Sequence, residues 1–166
     1  MSVKPKPADS NVEMIQVPNT LRQRVGGGFT GIDAKALARA EAALKDLSGQ
    51  FGQWLQDEVG KLEDAQAAIK TRGLSQETID NLFVRAHDLK GLGATYEFPL
   101  VTRIAGSLCR LLDNQATRTG APMYLVDAHV GAIRAAVRDN IRDTNNPVGL
   151  AIATELERVV AERLQK

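Results

Sequence analysis

The sequence predicts an all-α fold, an antiparallel bundle of helices. Strong helix formers, chiefly Ala, Leu, Arg, Glu and Gln, fill nearly every stretch after Gly31. Apolar side chains recur at three- and four-residue spacings in successive segments, and no long run of alternating Val, Ile or Thr indicates a sheet. Short turn-forming sequences separate these segments, which favours antiparallel neighbours.

The first 31 residues are predicted to form a flexible arm ahead of a helical domain at 32–166. The arm contains three prolines and the run Gly26-Gly27-Gly28, and it has little apolar mass to offset chain entropy. The glycine run lacks the Lys-Ser/Thr pair of a phosphate-binding loop, so we expect no nucleotide site there.

Two apolar stripes precede the first clear turn. Ser48-Gly49, between them, either separates two helices or bends a single one. The stripes then end at Thr71-Arg72-Gly73, and Ser75 begins the third helical segment. The stripes are Leu37, Ala40, Leu44 and Leu47, followed by Phe51, Leu55, Val59, Leu62, Ala65 and Ile69.

Three further helices are predicted after the third segment. Pro99 suits the first position of a helix that we expect to end near Thr119-Gly120. Pro122 opens the next, and Asn145-Asn146-Pro147 marks the turn before a last helix that runs to the C-terminus. Their stripes are Leu100, Ile104, Leu108 and Leu111; Val126, Val130, Ile133, Val137 and Ile141; and Ile152, Leu156, Val159 and Val160.

Charge and composition narrow the classes of partner. The 21 basic and 20 acidic residues give a formal charge of +1, which does not favour nucleic acid. No apolar stretch follows the N-terminal lysines and none reaches about 18 residues, so we expect a cytoplasmic protein without a membrane segment. The single cysteine, Cys109, lies in an apolar repeat and is interpreted as a buried, unreactive thiol.

The third helix directs His87 away from its apolar face. At about 100° per residue, the positions of this face fall on one arc, and His87 lies more than about 80° from its nearest edge. The imidazole is therefore predicted to face outward. The positions on the arc are Ile79, Leu82, Ala86, Leu89, Gly93 and Tyr96.

The neighbours of His87 suit phosphoryl transfer through nitrogen. Neutral imidazole is a good nucleophile near neutral pH, and a phosphorylated ring needs a cation beside its oxygens. Lys90, three residues on, can supply that point charge. Gly91, four residues on, costs about 0.8–1.0 kcal/mol relative to Ala in a helix. Because Gly91 lies on the outer face, packing does not explain it, whereas clearance for a partner's active-site loop does.

The partner is expected to touch the helix around the imidazole. Phe83, Val84 and Ala94 would form an apolar contact area, and Asp80 lies about two turns away on nearly the same line. Together they form the predicted partner-binding surface.

A resemblance to the histidine phosphotransfer (HPt) domain family is carried by this helix and the next. The family pattern is His-x-Leu-Lys-Gly, then small residues, then a helix bearing Leu, Ala and Cys. The match covers roughly residues 79–113, with helical context over 50–143. The matching residues are His87-Asp88-Leu89-Lys90-Gly91, Gly93-Ala94, Leu100, Ile104-Ala105, Leu108-Cys109 and Leu112-Asp113.

The resemblance implies a four-helix bundle, its core at about 50–143, with additional flanking helices at both ends. It implies that His87 accepts and donates the phosphoryl group, Lys90 stabilises the phosphate and Gly91 gives clearance. Partners would be receiver domains of response regulators, a hybrid histidine kinase, or both. These would supply Mg²⁺, so we expect no metal or cofactor in this chain. Glu97 departs from the pattern, since a glycine or small residue often ends the His helix there.

Other functions remain open at this stage. The bundle could be an adaptor that sequesters a receiver without turnover, or it could resemble a phosphohistidine phosphatase or a degenerate kinase. No autonomous kinase activity is expected, since no ATP-binding module follows the His helix. His129 is interpreted as structural or solvent-facing, because it lacks a lysine and a glycine at the matching offsets, and two distant histidines make no zinc site.

Overall fold

The computed structural model describes residues 34–165. This part of the chain contains five α-helices, a short 3₁₀ turn and no strand, which confirms the all-α class. None of these helices is apolar enough over a sufficient length to cross a membrane. The predicted arm, residues 1–31, lies outside the described residues. The helices are α1 (Ala34–Arg72), α2 (Gln76–Thr95), α3 (Pro99–Leu111), α4 (Met123–Arg138) and α5 (Pro147–Leu164), and the 3₁₀ turn is Arg118–Gly120.

The chain divides into two compact units, residues 1–39 and 40–166. Within the first unit, the described residues 34–39 are helical and exposed, Leu37 among them at 45%. The second unit contains the core and the candidate site.

Helix α1 is continuous across Ser48-Gly49, so this pair does not separate two helices. Only the second half of the helix contributes to the core, through positions from Leu55 onward. Leu44 and Leu47 of the first predicted stripe are 66% and 44% exposed. The reason is geometric: Ser48 Oγ meets the Glu97 carboxylate just after α2 (3.3 Å), so Leu44 and Leu47 lie past the end of α2.

Side-chain contacts show which helices are neighbours of α1. It meets α2 antiparallel, with the Phe51 and Tyr96 ring centroids 5.6 Å apart near one end and Arg72 beside Glu77 at the other. It meets α4 through Glu63 and Arg134 (3.2 Å).

Helix α3 packs against α2, α4 and α5, and α4 also packs against α5. Arg103 of α3 forms a two-pronged ion pair with Glu157 of α5, with both N···O distances 2.7 Å. The apolar interior that α1 shares with these helices includes the fully buried Leu55, Leu62, Ile79, Leu82, Leu89, Leu100, Ile104, Leu108, Leu112 and Ile133.

The helix starts follow the predicted signals. Ser75 caps α2: its hydroxyl accepts from the backbone N–H of Thr78, while the Thr78 hydroxyl accepts from the backbone N–H of Ser75. Pro99 occupies the first turn of α3, as predicted. Pro122 is the N-cap of α4, one residue before the helix begins.

Two helices end earlier than predicted. Helix α3 ends at Leu111 and not near Thr119-Gly120. The Arg118 guanidinium donates to the backbone carbonyls of Leu112 (2.5 Å) and Asp113 (3.3 Å), which are therefore not used to continue the helix. Helix α4 ends at Arg138, so Ile141 lies outside it. There Asn140 has φ +53°, a left-handed conformation that closes the helix.

Glu97 lies in the turn after α2, at the position where the HPt pattern that the sequence resembles has a small residue. Glu97 has φ +64°. The N–H of Phe98 donates to the carbonyl of Gly93 (2.7 Å) and that of Glu97 to Ala94 (3.1 Å), which is a Schellman motif. A left-handed non-glycine residue costs about 1–2 kcal/mol. Glu97 nevertheless completes the turn, and its carboxylate pairs with Arg142 (2.9 Å).

Gly93 sits at the closest approach of α2 and α3. A Cβ there would lie 2.7 Å from Thr102 Oγ1, 2.8 Å from Thr102 N and 3.1 Å from the carbonyl oxygen of Phe98. Two of these three atoms belong to backbone, which cannot move aside cheaply. Gly93, which the sequence places on the apolar arc, therefore permits the close packing of α2 and α3. Gly91, two residues earlier, has no neighbour within 4 Å of its added Cβ.

We therefore expect alanine to have opposite effects at the two glycines. Gly91→Ala should stabilise the fold by about 0.5–1 kcal/mol, because a helix-interior glycine loses more chain entropy than alanine. Gly93→Ala should destabilise it by about 1–3 kcal/mol, the usual cost of overpacking. Urea unfolding followed by circular dichroism measures both, and a stabilised Gly93→Ala protein would contradict the close approach.

Candidate functional site

Helix α2 buries one face and exposes the other as its spacing predicts. Ile79, Leu82, Ala86, Leu89 and Gly93 are buried, and Tyr96 is partly buried. His87 is exposed on the opposite side. Because so many positions on one face are fixed in the core, rotation of α2 cannot bring the imidazole inward.

The surface around His87 is open and largely apolar. Gly91 and Ala94 are exposed, and Val84 is 48% exposed. The Phe83 ring lies beside the imidazole, with centroids 6.2 Å apart and planes tilted by 38°. With nothing within 4 Å of an added Cβ at Gly91, the ring can be approached along the helix surface from that side.

Lys90 provides a positive charge on the same surface. Its side chain is exposed, and it forms no salt bridge with any residue in the described range 34–165. Its charge reaches Cys109 on α3. Burial raises the pKa of that thiol to about 11, and the ammonium of Lys90 opposes the rise. Cys109 is therefore a buried thiol with little nucleophilic character near neutral pH, as interpreted from the sequence.

Asp80 and Phe83, two residues of the predicted partner surface, both contact Arg118. The guanidinium lies 2.7 Å from the Asp80 carboxylate and stacks over the Phe83 ring, 3.9 Å from its centroid. Arg118 is only 7% exposed. Sequence reasoning missed Arg118, because it lies in a short segment without helical periodicity and no local spacing links it to α2.

Two arginines of α2 and α3, Arg85 and Arg103, are already paired with carboxylates. Arg85 pairs with Asp88 on the helix surface (3.6 Å), and Arg103 pairs with Glu157. The hydrogen bond from Arg103 lowers the pKa of Glu157, and the same bond raises the pKa of Arg103. Neither arginine could serve a phosphate without giving up an ion pair.

His129 is a fully buried member of the core. Nδ1 lies 2.7 Å from the Leu125 carbonyl oxygen, and Nε2 lies 3.0 Å from Ser107 Oγ. Since a carbonyl only accepts, Nδ1–H donates to Leu125 and Nε2 accepts from the Ser107 hydroxyl. Burial lowers the pKa of His129, although the bond to Leu125 opposes the shift. This confirms the structural interpretation.

Comparisons with known proteins assign no family and no function to this site. No family model, curated protein or solved structure matches the chain. In the described part, no group of three or more His, Cys, Asp or Glu side chains is placed to hold a metal ion.

The burial of His129 predicts a pH effect on stability. A buried imidazole with a lowered pKa binds its proton less readily in the native state than in the unfolded chain. Stability is therefore constant with respect to this group above about pH 6.5 and falls as the pH drops below it, by up to about 1.4 kcal/mol per pH unit. NMR titration of the His129 ring should give a midpoint below about 6.5. A midpoint above that value would contradict the conclusion that burial outweighs the bond to Leu125.

Proposed function

We propose that the protein is a histidine phosphotransfer protein, in which His87 accepts a phosphoryl group from a receiver-domain aspartate and passes it to another. One observation carries the proposal: on a single helical surface, an exposed imidazole lies about one turn before an open glycine and a lysine that pairs with no carboxylate of residues 34–165. These three residues are His87, Gly91 and Lys90.

The contacts of the helices support the corresponding architecture. Helix α1 contacts α2 and α4, and α3 contacts both α2 and α4, so the four helices enclose one apolar interior. We propose that α1–α4 form the four-helix bundle of the HPt domains that the sequence resembles. Helix α5 would be its C-terminal flanking helix, and the turns of α1 before Ser48 would take the place of an N-terminal one.

The chemistry divides between the two proteins. A neutral ring nitrogen of His87 attacks the phosphorus of the receiver's aspartyl phosphate, so an N–P bond forms as the P–O bond to the carboxylate breaks. The carboxylate leaves as an anion on the receiver, where Mg²⁺ would be held. The phosphoryl oxygens on His87 then lie within reach of Lys90, one turn along the same helix, which acts as a point charge.

The apolar residues around the ring would form the centre of the complex. Val84 and Ala94 are exposed, and Phe83 is partly buried with its ring beside the imidazole. Burying such side chains gives association its favourable free energy, at about 25 cal/mol per Å² of apolar surface. The adaptor alternative would use this same surface, without transfer of the phosphoryl group.

The direct test is labelling by phosphorylated receivers. Receiver domains from the same genome are phosphorylated on aspartate with radioactive phosphate and incubated with this protein. Wild type should acquire an acid-labile, alkali-stable label, and His87→Gln should acquire none, because an amide is not a nucleophile. Asp88→Asn, the adjacent change on the same surface, should still be labelled.

The outcomes of this experiment separate the functions. Label on His87→Gln would place the phosphoryl group elsewhere and end the proposal. A receiver that binds wild type in a pull-down but never transfers its label would indicate the adaptor.

A second prediction concerns clearance at Gly91. Gly91→Leu fills the open space beside the imidazole, so transfer from a receiver should fall at least about 100-fold while the helical circular dichroism is kept. Gly60→Leu is the matched control, since Gly60 is also a helical glycine with nothing within 4 Å of its added Cβ, but it lies on α1. Equal transfer rates for the two variants would contradict the clearance argument.

A further inference from the structure

The loop between α3 and α4 is held against α2 on the side of Phe83. Arg118 is the main anchor: its guanidinium bonds to the Asp80 carboxylate (2.7 Å) and covers the Phe83 ring (3.9 Å). A second anchor is the side-chain amide of Gln76, which donates to the backbone carbonyl of Gln115 (3.1 Å). The loop therefore touches α2 at two points about one turn apart.

Burial and several hydrogen bonds hold the Arg118 side chain in place. The side chain is almost completely buried, and it donates to the Asp80 carboxylate and to two backbone carbonyls, those of Leu112 and Asp113. A buried cation is tolerated only when its hydrogen bonds are satisfied, and here the planar fork of arginine serves three oxygens and an aromatic face. Lysine has the charge but not this fork.

The anchor attaches an exposed polar strip to the N-terminal half of α2, the helix that carries the imidazole. Phe83 lies between Arg118 and His87, so one aromatic ring bridges the two. Residues 113–117, immediately before Arg118, are all exposed. Four of the five are polar, and these are Asp113, Asn114, Gln115 and Thr117.

A protein interface centred on His87 is large enough to extend beyond the helix that carries the imidazole. A stable interface covers about 800 Å² on each partner, a disc of roughly 16 Å radius. The exposed positions of a single helix do not fill such a disc. Interfaces have an apolar centre and a polar rim that carries hydrogen bonds and specificity. The centre corresponds to Phe83, Val84 and Ala94, and residues 113–117 have the composition of a rim.

We propose that residues 113–117, positioned by Arg118, form a second strip of the docking surface for the receiver domain and select among receivers. This inference rests on the proposed function of His87. Arg118 is then a positioning residue: it fixes where the loop and the Phe83 ring lie, and it does not touch the phosphoryl group.

The experiment separates docking from reactivity by using two donors. Phosphoramidate, a small donor, labels histidine without a protein interface, whereas the receiver that labels wild type must dock. For each variant we would measure labelling by phosphoramidate, the receiver concentration for half-maximal transfer and the maximal transfer rate. Circular dichroism and urea unfolding verify that each variant is folded.

Arg118→Met should raise the half-maximal receiver concentration about tenfold, with the maximal rate changed less than about twofold and phosphoramidate labelling unchanged. Arg118→Lys should give a smaller increase in the same direction. Loss of phosphoramidate labelling in the folded variants would mean that Arg118 acts on the reactivity of His87, and it would overturn the docking proposal.

A loop variant tests the strip itself without disturbing the anchor. The side chain of Gln115 can be changed because the bond from Gln76 uses only its backbone carbonyl, so we would compare Gln115→Lys and Gln115→Glu. At least one should shift the half-maximal receiver concentration about threefold or more, the effect of one rim contact. The same two changes at Asn145, a turn residue between α4 and α5, are the matched control.

The two proposals can fail separately. If every Arg118 and Gln115 variant has the half-maximal concentration of wild type, the second strip is refuted while His87 keeps its role. If neither donor labels wild-type protein, the phosphotransfer function itself is refuted.

Discussion

The close approach of α2 and α3 at Gly93 is the constraint on which the candidate site depends. The backbone N–H of Ala94 donates to Thr102 Oγ1 (2.7 Å), so the last turn of α2 is bonded to the first turns of α3. This contact fixes the rotation of α2 about its axis, since any side chain at position 93 would push the two helices apart. The rotation of α2 in turn decides where His87 points, because Gly93 and His87 lie on opposite sides of this helix.

Polar contacts at the two ends of α2 hold it in that orientation. At its N-terminal end, Arg118 joins Asp80 and Phe83 to the loop after α3. At its C-terminal end, Glu97 adopts a left-handed conformation and bonds to Ser48 and Arg142. In the described part of the chain, every buried side-chain nitrogen or oxygen has a hydrogen-bond partner. The site is therefore presented on a helix that is fixed along its whole length, which suits a nucleophile that must meet a partner's loop.

Local patterns in the sequence predicted most of the fold. The all-α class, the cap at Ser75, the start at Pro99 and the buried arc of α2 all follow from spacing and capping rules that act within a few residues. The same rules placed His87 outward and Gly93 inward. What local rules could not predict depends on contacts between residues far apart in sequence. Helix α3 ends early because Arg118 binds the carbonyls that follow it, and Leu44 and Leu47 of α1 are exposed because α2 ends opposite Ser48.

The two histidines of the chain occupy opposite environments, one in the core and one at the surface, and the difference bears on which of them could carry a phosphoryl group. Both ring nitrogens of His129 are engaged, one as donor and one as acceptor, and burial disfavours its charged form. Phosphorylation there would require breaking both bonds and placing a dianion in the core, at a cost of many kcal/mol. The His87 ring lies at the surface, with the Phe83 ring beside it. Under the proposed function, a phosphoryl group on that ring would stay in water one turn from Lys90, so it could be gained and lost without reorganising the fold.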